Sequence, residues 1–166
     1  TQPIGLFDSG IGGTTIWRSI HNLLPNENTL FLGDSKNAPY GQKTKEEIIQ
    51  LSKKNVEWLL NHNAKVIIVA CNTATTNAIT ELRNSYNVPI IGIEPAIKPA
   101  AAHTQTGKVG VLATQGTLNS KKYEQAQSLY PNVEFINQIG FRIVQLIEDG
   151  KLYSEELELL LRSYID

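Results

Sequence analysis

Short runs of apolar, largely β-branched residues alternate with longer amphipathic stretches along almost the whole chain. Residues 4–7, 29–33, 66–70, 89–93, 108–113 and 133–136 have the length and composition of strands. Between and after them, residues 15–24, 44–61, 74–86, 96–103, 118–129, 141–148 and 155–165 read as helices. The longest carries an apolar stripe of Ile48, Leu51, Val56, Leu59 and Leu60. Thr44 with Glu47 three residues on gives it a capping-box start. Strand–helix alternation of this kind predicts right-handed βαβ units, hence an α/β protein of two doubly wound lobes with mainly parallel sheets. Glu94-Pro95 interrupts the rhythm, so the lobes are expected at residues 1–94 and 95–166.

Composition narrows the picture. The chain has 166 residues, 41% of them hydrophobic, with 15 basic and 16 acidic side chains and a net charge of −1. Near-balance gives no electrostatic case for nucleic acid or an acidic membrane surface as partner. No apolar run approaches the ~18 residues of a membrane span, and no export signal is visible, so a cytoplasmic protein is expected. With one cysteine, an internal disulfide is excluded. Methionine is absent, which reads Thr1 as a processed or trimmed start, or as part of a longer chain. His21, His62 and His103 share no metal-ligand spacing with each other or with Cys71, so no metal is expected.

In open α/β sheets, ligands bind beyond the carboxyl ends of the strands. Here those ends are polar or glycine-rich: Asp8-Ser9-Gly10-Ile11-Gly12-Gly13; Gly33-Asp34-Ser35 followed by Pro39-Tyr40-Gly41; Cys71-Asn72-Thr73; and Thr114-Gln115-Gly116-Thr117. Cys71 stands between a strand tip and a helix start. Unpaired N–H groups and the helix dipole favour thiolate there and predict a thiol pKa below the ordinary ~8.5. A lone cysteine reads equally as a small buried hydrophobe. The glycine-rich loop has Thr15 where a dinucleotide fingerprint needs its third glycine, and it lacks a P-loop ending. It still offers a helix N-terminus to an anion, carboxylate or phosphate. Asp34 reads as a substrate contact or as a loop brace, and Glu94 as a boundary residue paired with a cation. Glu148 and Asp149 end a helix where acidic groups oppose the dipole, which marks them for attention.

Together these segments, with Gly92-Ile93-Glu94-Pro95, Gly110-Val111-Leu112-Ala113-Thr114 and Ser120 with Tyr123, resemble the glutamate racemases of the aspartate/glutamate racemase family. Racemases for aspartate or hydantoins share the Cys-Asn-Thr strand end, but the Asp-Ser-Gly-x-Gly-Gly opening favours glutamate. The resemblance implies cofactor-independent interconversion of L- and D-glutamate by two thiols on opposite faces of the α-carbon, supplying D-glutamate for peptidoglycan. It implies that Cys71 is one thiol and that Asp8 assists it and meets the substrate ammonium. By the same resemblance, Ser9, Pro39, Tyr40, Gly41, Asn72, Thr73, Thr114 and Thr117 bind substrate, and Glu148 matches a carboxylate near the second thiol. A homodimer is one open assembly. Gly140-Phe141 replaces a Cys-Pro pair of the family. The second thiol, expected in a Cys-Thr-His segment beyond residue 166, is absent from this sequence, as is the stretch that completes the first lobe. The second lobe is therefore expected to be incomplete and the chain a fragment, inactive alone. A non-catalytic dicarboxylate- or nucleotide-binding module is the alternative. A pyridoxal-phosphate enzyme would need a lysine in a recognisable motif, and none is present.

Overall fold

Alternate residues of the first and third strands are buried on opposite faces, and this sets the layers of the main sheet. The computed structural model describes residues 2–165; Thr1, read above as a start, lies outside the described residues, as does Asp166. β1 (Ile4–Asp8), β2 (Thr29–Gly33), β3 (Val66–Val69) and β4 (Ile90–Gly92) form a parallel sheet in the order β2-β1-β3-β4. Phe7, Ile67 and Val69 point to one face. There they meet Ile48, Val56 and Leu59 of α2 (Lys45–Asn61) and Ala74, Ala78, Ile79 and Leu82 of α3 (Asn72–Ser85). Ile4, Leu6 and Ile68 point to the other, against Ile16, Trp17 and Ile20 of α1 (Thr14–Leu23). Strands covered on both faces read as near-continuous apolar runs.

Beyond β4 the chain forms α4 (Ile97–His103) and a second parallel pair, β5 (Lys108–Ala113) and β6 (Glu134–Ile139). This pair is accompanied by α5 (Gln115–Leu118), α6 (Lys121–Ser128), α7 (Ile143–Glu148) and α8 (Glu155–Ile165). The helix expected over 118–129 begins later, at Lys121, and a separate short helix precedes it, because two caps divide the segment. Thr114 Oγ1 accepts the Thr117 N–H at 3.3 Å to start α5, and Ser120 Oγ accepts the Tyr123 N–H at 3.3 Å to start α6. β6 begins one residue later than expected and runs three residues further. Its pairing with β5 continues to Ala113 opposite Ile139, although this stretch contains the polar Asn137 and Gln138. Glu94 pairs with a cation, its Oε1 lying 2.9 Å from Lys122 Nζ.

The order places a topological switch between β1 and β3. β1 leads to a neighbour on one side of the sheet, and β3 leads to one on the other. The loops leaving their carboxyl ends therefore diverge and open a crevice. Asp8 ends β1, and Cys71 follows β3.

The capping box of α2 forms as its sequence predicts. Thr44 Oγ1 accepts the Glu47 N–H at 3.3 Å, and Glu47 Oε2 accepts the Thr44 N–H at 2.8 Å. Thr44→Ala should lower stability to urea by about 1 kcal/mol, and Thr44→Ser by much less. Equal losses in the two variants would show that the hydroxyl is not the source.

Candidate active site

Cys71 is the N-cap of α3, and its sulfur takes the part a cap oxygen usually plays. Sγ accepts the Ala74 N–H at 3.4 Å and donates to Ser9 Oγ at 3.5 Å. Only 5% of the residue is exposed. Here the structure corrects the sequence reading of a lowered thiol pKa. Burial first, and then the Asp8 carboxylate, push the thiol up to about 11, against the smaller pull of the Ala74 and Ser9 hydrogen bonds. The helix start is present, but a full negative charge nearby and the loss of water outweigh it.

Asp8 also changes the reading of the glycine-rich loop. Its Oδ2 accepts the N–H of Gly10 at 3.2 Å and of Gly13 at 3.0 Å. Gly13 is the N-cap of α1. The anion held at this helix start is thus the loop's own carboxylate and not an external one.

Three threonine hydroxyls join the lobes. Thr73 Oγ1 lies 2.8 Å from Thr114 Oγ1 and 3.2 Å from Thr117 Oγ1, and Thr114 Oγ1 lies 3.1 Å from Thr117 Oγ1. Asn77 braces them by donating to the backbone oxygens of Thr73 and Gly116, each at 2.9 Å. Opposite, Glu148 Oε1 accepts the Ile11 N–H at 2.9 Å.

Asp8, Ser9, Cys71, Asn72, Thr73, Thr114, Thr117 and Glu148 all line one cleft of about 360 Å³, with Ile16, Ile93, Leu112, Val144 and Ile147 as apolar walls. That is within the size range of small-molecule pockets. Pro39, Tyr40 and Gly41 do not line it. Tyr40 is buried with its hydroxyl turned inward, donating to Asp34 Oδ2 at 2.5 Å and accepting from Asn55 Nδ2 at 3.0 Å. Burial and Asp34 hold its phenol well above the ordinary range. Asp34 also accepts from Asn37 Nδ2 at 2.8 Å, so it braces a loop. Gly41 backs the cleft from behind Thr114. A Cβ at Gly41 would come within 2.6 Å of Thr114 Cβ, so only glycine permits this approach.

Sequence reasoning missed Asn55 and Asn77 as supports. The signal available was a polar residue on the buried side of each helix, Asn55 beside Val56 and Leu59, and Asn77 beside Ala78. Among the described residues, no group of three or more His, Cys, Asp or Glu is arranged to hold a metal ion, and no helix is long and apolar enough to cross a membrane.

Known proteins share this fold. The sequence profile of the Asp/Glu/Hydantoin racemase family matches residues 4–151. A glutamate racemase of Clostridium novyi is 47% identical over 158 residues, 94% of this chain and 61% of its own length. The structure of glutamate racemase isoform RacE1 from Bacillus anthracis superposes with a TM-score of 0.87 at 30% identity, over 99% of this chain and 62% of its own. The Escherichia coli glutamate racemase, solved with L-glutamate and the activator UDP-MurNAc-Ala, gives 0.87 at 31% identity, over 99% and 65%. The chain thus spans a little over three fifths of the length of these relatives. The profile takes in both sheets and every residue lining the cleft, and the chain belongs to the Asp/Glu/Hydantoin racemase family.

Proposed function

We propose that these residues form one half of a cofactor-independent glutamate racemase site, with Cys71 as the acid–base group on one face of the substrate α-carbon. The observation that carries this reading is the position of Cys71 Sγ. It lies at the switch point, hydrogen-bonded to Ser9 and close enough to Asp8 to feel its charge, on the wall of the cleft bounded by the three threonines. Glutamate is the substrate by similarity to the relatives. The Thr73, Thr114 and Thr117 hydroxyls and the Asn72 side chain are the donors for its carboxylates, and Asp8 receives its ammonium. Pro39, Tyr40 and Gly41 serve this site by holding Thr114 in place.

The chemistry follows from the protonation state. In one direction, thiolate Sγ takes the Cα proton, and the electron pair left on carbon delocalises into the α-carboxylate. Preorganised donors stabilise the charge as it develops there. A group on the opposite face returns a proton to carbon, giving the other enantiomer. In the reverse direction, Cys71 must start as the neutral acid. A thiol pushed up to about 11 is held in that acid form. Once ionised, it is also a stronger base than an ordinary thiolate. A substrate ammonium beside Asp8 offsets the charge that disfavours the thiolate. Cys71 is the only sulfur here, so the second thiol of a two-base mechanism lies outside this sequence. The reading sets the protein in the cytoplasm, in D-glutamate supply for peptidoglycan, and leaves a homodimer as an assembly to test.

The competing reading is a dicarboxylate-binding module, and the near-complete burial of Cys71 is the observation in its favour. Cys71→Ala separates the two. In the whole protein it should abolish exchange of the glutamate Cα proton with solvent deuterium in one direction, as followed by NMR. Full racemisation by that variant would sink the role of Cys71. The 166-residue chain alone should not racemise D-glutamate.

The thiol itself gives a second test. Thiolate absorbance of the folded chain should rise with a midpoint near 11, and Asp8→Asn should lower that midpoint by removing the nearby negative charge. Because the folded value is raised from 9, the stabilisation is complete below pH ~9 and lost as pH climbs toward ~11. Cys71→Ala should flatten that part of the stability profile. An unchanged midpoint in Asp8→Asn would remove Asp8 as a cause.

A further inference from the structure

The hydroxyl triangle of Thr73, Thr114 and Thr117 bridges two elements far apart in the chain, and a side chain outside the cleft ties those elements together. Thr73 lies in the first turn of α3, just after the Cys71 N-cap, whereas Thr114 caps α5 and Thr117 lies within it. Asn77, one turn further along α3, reaches across. Its Nδ2 donates to Thr73 O and to Gly116 O, each at 2.9 Å, and more weakly to Thr76 Oγ1 at 3.3 Å. An amide NH2 has two hydrogens, and the two short bonds use both. Backbone oxygens only accept, so the amide must present its nitrogen to them. Gly116 O is open to this contact because the N–H four residues on, that of Ser120, goes to Thr117 O at 3.2 Å. The two elements are also in close contact here. A Cβ on Gly116 would come within 3.0 Å of Thr73 Cγ2 and 3.1 Å of Gly41 O. Asn77 is half-buried and does not line the cleft of Cys71. It lines two other hollows, of about 300 and 260 Å³.

We propose that Asn77 is a positioning residue for carboxylate binding: by tying the first turn of α3 to α5 it fixes the spacing of the three threonine hydroxyls, and so sets the affinity for a carboxylate it never touches. The ligand is named by the glutamate reading of the cleft, on which this inference rests. Without the Asn77 amide, Thr73 O and Gly116 O turn to water, and α5 is held to α3 by less. The hydroxyls then no longer converge before the ligand arrives, and binding must supply the ordering. Cys71 belongs to α3 and keeps its place. The loss falls on the ground state and the transition state alike, so KM rises while kcat is little changed.

The test uses the whole protein and two readouts. One is calorimetric titration with glutarate, which has both carboxylates of glutamate but no amine and calls on no thiol chemistry. The other is racemisation of D-glutamate. Asn77→Ala removes the donors. Asn77→Asp keeps the shape but sets oxygen against the two backbone oxygens. Both variants should raise the glutarate Kd and the glutamate KM roughly tenfold, the scale of losing one hydrogen bond, with kcat within about twofold. A side chain that only stabilised the fold would lower kcat through the folded fraction and leave KM and Kd unchanged. That result, or unchanged values throughout, would overturn the proposal. Should Asn77→Ala fail to fold, Asn77→Asp decides. If the unsubstituted protein binds glutarate but does not racemise glutamate, the racemase reading fails and the Kd values alone decide on Asn77. If it racemises glutamate without binding glutarate, the split between KM and kcat decides. Neither binding nor turnover overturns both.

Discussion

A carboxylate buried at the end of a central strand must find hydrogen-bond donors, and at Asp8 the chain supplies them from its own next turn. Two backbone N–H groups, from Gly10 and Gly13, converge on one oxygen. The turn can wrap so tightly only because Gly13 brings its backbone against the Asp8 and Ala70 side chains, where a Cβ would come within 2.6 and 3.1 Å. This interaction fixes where α1 starts and where Ser9 points. It also places a negative charge close to Cys71. The same charge adds to burial in pushing the thiol up, and it favours a cation beside it. A ligand that brought an ammonium group would therefore relieve an electrostatic conflict already built into the site.

The two lobes meet at this cleft through polar contacts. The threonine cluster, the Asn77 brace and the Glu148 contact are all hydrogen bonds. The buried apolar clusters around β1 and β3 belong to the first sheet. An interface of this kind is cheap to open compared with a hydrophobic one, because water can take over each donor and acceptor. On the Gly41 side, Thr114 and Gly116 are seated against the turn at Gly41.

Much of this was legible in the sequence because it depends on local rules. The alternation of strands and helices, the capping box of α2 and the polar strand ends are all signals within a few residues of one another. What was not legible depends on neighbours distant in the chain. No local pattern says that Tyr40 turns its hydroxyl to Asn55, or that Asn77 spans two lobes. The helix expected over 118–129 followed its propensity, but the Ser120 cap within it and the Thr114 cap before it set the observed helices. The thiol pKa was misjudged for a related reason. The helix start could be read locally, whereas the depth of burial and the competing carboxylate from another strand could not.

Of the two readings of Cys71 left open by the sequence, the buried hydrophobe describes its packing, and the lowered thiol pKa does not hold. Cys71 belongs to the buried cluster of the main core that includes Phe7, Tyr40, Val69 and Ala74, and it also lines the polar cleft. On the proposed racemase reading, burial of this kind suits a base that must take a proton from carbon. A thiolate fully hydrated in water is stabilised and a weak base, whereas one held out of water retains its basicity. The cost is that such a thiolate hardly forms until a compensating positive charge arrives. Basicity and dependence on a bound cation thus have one physical origin, the removal of water from a sulfur that sits beside Asp8.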